Sequence, residues 1–208
     1  MKRDWLMHEL IDFEIQVADM FKSGWLRCPI HLSGGNEIEL IEIFSMIEDK
    51  DYVFATHRNH YHYLLKGGNP EALIDEMRGL KSGVCSGNAR SMNVCDPEIR
   101  FYTSAIVSGN CAIAAGVALG IKRAGGSEKV YCFLGDGAED SGHYMEAVRF
   151  AAGRDLPIVF IVEDNNYSTD STKDDRWENS KAICVKKIQR YEYERVYPHV
   201  GIGEHVTF

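Results

Sequence analysis

"YCFLGDGAED", residues 131–140, sets an aspartate between two glycines at the end of a short apolar run. The run leading in, "KVYCFLGDG", reads as a strand. It is followed by "EDSGHYMEAVRFAAGRD", which reads as a helix, and by "LPIVFIVEDNN", a second strand with almost no polar interruption. A continuous apolar run bounded by a helix marks a parallel strand covered on both faces. This strand–helix–strand unit predicts an α/β fold. In open parallel sheets, ligands gather at the carboxyl ends of the strands, where the chain turns into the next helix.

The Gly-Asp-Gly turn lies at such an end. Gly135 and Gly137 permit a tight turn and a close backbone approach to a ligand. The amides near Ala138 to Asp140, at the start of the following helix, favour an anionic group such as a phosphate. Asp136 would repel a bare phosphate, so the pattern is coherent if a divalent cation sits between them. Magnesium takes oxygen ligands and bridges one or two protein oxygens to ligand phosphates. If the two strands are parallel neighbours, Asp136 and the segment 164–166 emerge side by side, with Asn165 lying 29 positions after Asp136. A carboxylate, an amide oxygen and a backbone carbonyl make a half-shell for a hard cation. Taken singly, a GDG and an "NN" after a strand are ordinary turn chemistry; the specificity lies in their joint placement.

Upstream, residues 4–24 place Leu6, Leu10, Phe13, Val17 and Phe21 at helical spacing, with Asp4 to cap the start and Gly24 the end. A second helix is predicted over 37–47, and a short strand, Tyr52 to Ala55, runs into a polar, histidine-rich loop. Asn69 as cap and Pro70 at the first position open another helix. Residues 82–104 read as loop, and the small, glycine-rich stretch 106–121 as a tightly buried helix that lets another backbone come close. The tail contains "IQRYEY", which reads as the remnant of a late strand.

Composition narrows the function classes. The 208 residues carry 31 acids against 23 bases, a net charge of -8, which disfavours a nucleic-acid reader. No apolar run reaches the length of about 18 residues that a spanning helix needs. The N-terminus lacks a signal-peptide core, so a cytoplasmic location is expected. Six cysteines (Cys28, Cys85, Cys95, Cys111, Cys132, Cys184) include no CxxC pair and read as free, buried thiols.

Several spaced motifs resemble one family. "GDGAEDSGHYMEAVRFAAGRDLPIVFIVEDNNYS" is similar to the thiamine diphosphate signature, and more specifically to that of the alpha subunit of thiamine diphosphate-dependent 2-oxo acid and acetoin dehydrogenases. "RCPIHLSGGNEIELIEIFSMIEDKDYVFATHRNHYHYLLKGG" resembles the family's segment before the cofactor loop, "GNARSMNV" its glycine-rich loop, and "IVSGNCAIAAGVALG" its small-residue helix. The resemblance covers roughly residues 5–170 and implies a three-layer thiamine diphosphate-binding fold with a mostly parallel sheet flanked by helices. It implies one domain over residues 1–208, the diphosphate-binding half, with an atypical short tail over 171–208.

By the same resemblance, Asp136 and Asn165 are side-chain ligands of magnesium and Tyr167 supplies a backbone carbonyl. Gly135, Gly137 and Ala138 line the diphosphate, Arg58 reaches a phosphate oxygen, His57 faces the cofactor, and Val107 supports the aminopyrimidine ring. His60 matches the family's histidine near the reacting centre and His62 another histidine of the same pattern, and these are the candidate catalytic residues; Ser91, Met92 and Asn93 sit in the loop expected to border the site. The expected activity is oxidative decarboxylation or carbon–carbon cleavage of a small 2-oxo acid or acyloin, with the cofactor as electron sink. A beta-type partner is expected to supply the pyrimidine-binding half and an activating glutamate, in an α2β2 assembly. Two rivals share the half-site: a split transketolase-like or carboligase subunit, and a non-catalytic assembly subunit.

Overall fold

The computed structural model describes residues 4–177 and 187–207. In chain order, its helices are α1 (Met7–Lys22), α2 (Glu37–Ser45), α3 (His60–Lys66), α4 (Pro70–Arg78), α5 (Gly109–Ala124), α6 (Gly142–Gly153) and α7 (Lys173–Arg176). The strands are β1 (Tyr52–Ala55), β2 (Cys95–Asp96), β3 (Phe101–Thr103), β4 (Val130–Gly135), β5 (Ile158–Asp164), β6 (Tyr167–Ser168), β7 (Ser171–Thr172) and β8 (Ile188–Glu192). The backbone gathers into two units of discontinuous segments. One, the sheet unit, takes Lys50–Thr56 and Ala105–Tyr193; the other, the histidine unit, takes Met1–Asp49, His57–Ser104 and Glu194–Phe208.

In the sheet unit, β1, β4, β5 and β8 lie side by side in that order and all run parallel. The register pairs Phe54 with Cys132, Gly135 with Glu163, and Asp164 with Glu192. Val130 to Leu134 of β4 are buried on both faces, as are Phe160 to Val162 of β5, which is why neither strand alternates polar with apolar. The "IQRYEY" reading is met by β8. Helices α5 and α6 pack on one another. After β5 the chain makes a tight hairpin, β6–β7, which Asn166 and Thr169 allow by adopting positive φ. Thr172 then caps α7 by accepting from the Asp175 amide.

In the histidine unit, α1 buries Leu10, Phe13 and Val17, and α4 begins as its sequence dictates. The Asn69 side chain accepts from the Glu71 and Ala72 amides at 2.8 and 3.1 Å, and Gly79 ends the helix at φ +77°. Glu76 of α4 is fully buried and accepts from the amides of Cys85, Gly87, Ala89 and Arg90, so one carboxylate organises the loop that follows.

Some local expectations need correction. The histidine-rich stretch is not all loop: His60 and His62 lie on α3. Residues 82–104 contain the short antiparallel pair β2–β3. Helix α1 starts after Leu6, whose amide donates to Glu9, rather than at Asp4, and ends at Ser23 rather than Gly24. Helix α6 starts later than expected, capped by Ser141, so the amides near Ala138 to Asp140 belong to a 3-10 turn and its exit. Helix α5 buries only one face; added Cβ atoms at Gly116 and Gly120 would meet nothing within 4 Å. Among the described cysteines all are free, but Cys85 and Cys95 are only half-buried; Cys184 lies outside the described residues. No helix among the described residues is long and apolar enough to cross a membrane.

Candidate cofactor and metal site

At the carboxyl edge of the sheet unit, β4 leads into Asp136 and β5 into Asp164 and Asn165, because the two strands are parallel and paired as far as Gly135 and Glu163. The Gly-Asp-Gly turn is held from behind. Ser108, in the left-handed conformation at φ 57°, donates its hydroxyl to the Ala138 carbonyl at 2.8 Å, and Ser141 donates to Ser108 at 2.7 Å. Gly137 has to be glycine: a Cβ there would come within 2.5 Å of Ser168. Gly135 has no such neighbour: among the described residues, a Cβ there would meet nothing within 4 Å.

Asp136 is buried, and its Oδ1 has no hydrogen-bond partner among the described residues. Its Oδ2 accepts from Arg176 at 2.8 Å, while the other arm of the guanidinium reaches Asp140 at 2.9 Å. Asp164 accepts from Lys173 and Arg190, and Arg190 also pairs with Glu139. Burial, then the negative charge of Asp164, raises the Asp136 carboxyl above its ordinary range, against the pull of Arg176. For Asp164 burial acts in the same upward direction, but hydrogen bonds from Lys173 and the Asn166 amide, with the charge of Arg190, hold it below that range. Asn165 accepts the Tyr167 amide at 3.0 Å and donates to the Tyr193 hydroxyl at 3.1 Å.

These residues fit a hard divalent cation. The unpartnered, buried Oδ1 of Asp136 and the Asn165 amide oxygen are oxygen donors of the kind magnesium prefers. The space above Gly135 leaves backbone accessible to a ligand. Val107 is well exposed, at 64%.

The remaining expected residues lie in the histidine unit. His60 is fully buried, with Nδ1 3.0 Å from Glu14 and Nε2 2.9 Å from Ser91, so both ring nitrogens are committed. His62 is buried edge-on against Phe44. Arg58 donates to the carbonyls of Leu32, Pro198 and His199 at 2.7, 3.2 and 3.0 Å. His57 packs against His31 and His199. Burial, aided by the charges of Arg58, His199 and His60, lowers the His31 ring to about 4. Burial, then His31 and Arg58, lowers His57 to about 3.

Sequence reasoning did not single out Arg176, Lys173 and Arg190 at the sheet edge, or Glu14, His31 and His199 in the histidine unit. The cations come from segments after the signature, where no local pattern names their partners. His31 stands inside the "HLSGG" turn and was legible only as turn chemistry.

Comparison with known proteins identifies the family of the chain. The model of the dehydrogenase E1 component family matches residues 7–188. The alpha subunit of acetoin:2,6-dichlorophenolindophenol oxidoreductase from Cupriavidus necator is 32% identical over 169 residues, covering 81% of this chain and 51% of that protein. The Bacillus subtilis protein of the same name is 32% identical over 167 residues, 78% of this chain and 50% of that protein. The pyruvate dehydrogenase E1 component subunit alpha of Rickettsia bellii is 31% identical over 157 residues, 75% of this chain and 48% of that protein. The chain spans about half the length of the curated relatives it matches. Its parallel sheet and the span of the family match give one conclusion: the chain belongs to the dehydrogenase E1 component family.

Proposed function

We propose that the chain is the alpha-type, diphosphate-holding part of a thiamine diphosphate-dependent enzyme that acts on a 2-oxo acid or acyloin together with a beta-type partner. The observation that carries this reading is the sheet edge. Among the described residues, a buried carboxylate with one oxygen unpartnered stands in the turn just after β4, and an asparagine directly follows β5, the parallel neighbour of β4. Asp136, Asn165 and the Tyr167 carbonyl would hold magnesium, and Gly135, Gly137 and Ala138 would line the diphosphate. Thiamine diphosphate, when bound, supplies a carbon nucleophile and an electron sink for cleavage beside a carbonyl.

The chain's own residues position and orient. Ser108 and Ser141 fix the Gly-Asp-Gly turn, and Glu163 near the end of β5 pairs with Gly135. For His60, two committed nitrogens and full burial support a positioning role, in which it ties Glu14 to Ser91. The partner rests on the family resemblance and on α5, whose Ala112, Ile113, Gly116 and Gly120 are exposed to solvent in this chain. An α2β2 assembly follows from that resemblance.

The test is product analysis of the alpha–beta complex, supplied with thiamine diphosphate, magnesium and an artificial electron acceptor. Oxidised acyl product from a 2-oxo acid or an acyloin is the expected outcome. Acyloin formed without reduction of the acceptor would instead assign the chain to a carboligase.

A further inference from the structure

We infer that His31, His57 and His199 form a binding site for a divalent transition-metal ion of the zinc type. The three residues are far apart in sequence, yet each can offer one ligand atom and these atoms lie within 4.8 Å of one another. The ring centroids of His31 stand 4.7 Å from His57 and 5.1 Å from His199, and those of His57 and His199 stand 5.5 Å apart. All three belong to the histidine unit; the inference rests on these rings alone, and it gives a metal ligand's role to His57, which the family resemblance turns toward the cofactor.

Two observations mark the cluster as a site rather than packed rings. The Nδ1 of His31 and the Nε2 of His57 are buried with no hydrogen-bond partner among the described residues. An unmet buried nitrogen costs about 1–3 kcal/mol, and a metal ion would satisfy it. Arg58 also fixes the backbone at all three positions: it follows His57 directly and binds the carbonyls of Leu32, next to His31, and of Pro198 and His199.

The donor set selects the ion. Three imidazoles suit zinc, cobalt, nickel or copper, whereas magnesium requires oxygen. Tetrahedral coordination at zinc–nitrogen distances of about 2.0–2.1 Å brings nitrogens closer together than the cluster's outer limit, a gap that rotation of the rings can close. Three protein ligands leave one position open, as in sites that keep an exchangeable ligand. The nearby Arg58 guanidinium opposes a bare dication, so the fourth ligand would be hydroxide or another anion.

Cobalt(II) titrated into the tag-free full chain, with excess magnesium to fill any oxygen site, tests this directly. The expected result is one equivalent taken up with a visible absorption band of low-symmetry cobalt, displaced by zinc. Uptake should weaken at least about tenfold in His199→Ala and persist in His205→Ala, a change at an exposed tail histidine. Circular dichroism reports whether the first variant is folded, and His57→Gln serves as the second probe if it is not. Absence of uptake by the unaltered chain, or unchanged uptake in a folded His199→Ala or His57→Gln variant, would overturn the proposal.

Discussion

Asp136 is pulled in two directions. Its position at the end of a buried strand removes it from water, which penalises its charged form, and Arg176 compensates only one of its two oxygens. Removing one partner of a buried pair leaves an uncompensated charge and costs about 3–5 kcal/mol. The substitution Arg176→Met should therefore lower the melting temperature in chelator. A magnesium ion on the same carboxylate would replace the lost countercharge, so added magnesium should raise the melting temperature of the variant more than that of the unaltered chain. Equal magnesium shifts in both proteins would show that the ion does not reach Asp136. Asp136 and Asn165 were legible in sequence because each ends an apolar strand. Arg176 was not, because a charge partner reached through a hairpin and a short helix leaves no local pattern. Glu14 was hidden for another reason: on an amphipathic helix a glutamate reads as solvent-facing, and here it is buried under His60 and the Ser33 amide.

Elements were legible in proportion to how strongly one face differs from the other. Helix α4 has a cap, a proline at its start and a glycine at its end, and β1 is short but bounded; both fall where the sequence puts them. Helix α3 did not, because all seven of its residues are buried and a helix covered all round has no polar stripe to betray its period. Helix α5 erred the other way. Its small residues suggested burial on every side, but the face bearing Gly116 and Gly120 is open. That face carries a prediction. Leucine at Gly116 has room in the isolated chain, and replacing an exposed helical glycine gains roughly 0.5–1 kcal/mol of helix propensity. Gly116→Leu should leave the melting temperature of the isolated chain unchanged or slightly raised, while abolishing its co-purification with a beta-type partner. Normal assembly of the variant would place the partner elsewhere.

At the scale of the molecule, the parallel order β1-β4-β5-β8 explains why residues widely separated in sequence meet at one edge. The strand β8 brings Arg190 to Asp164, and the intervening hairpin and α7 bring Lys173 and Arg176. Acids from the turn after β4 (Asp136, Glu139, Asp140) and from β5 (Asp164) thus meet three cations from the later segments in one ion-pair cluster. The α/β class followed from the strand–helix–strand unit alone, whereas the division of the backbone into two units did not, since each unit is assembled from segments interleaved in sequence. The cluster also defines the most direct test of the proposed function: calorimetric titration of thiamine diphosphate into the purified chain, with and without magnesium, and with a beta-type partner present or absent. Binding that requires magnesium and disappears in Asp136→Ala is the expected result. Binding indifferent to magnesium or to Asp136, or no binding even with the partner present, would contradict the assignment of this edge as the diphosphate site.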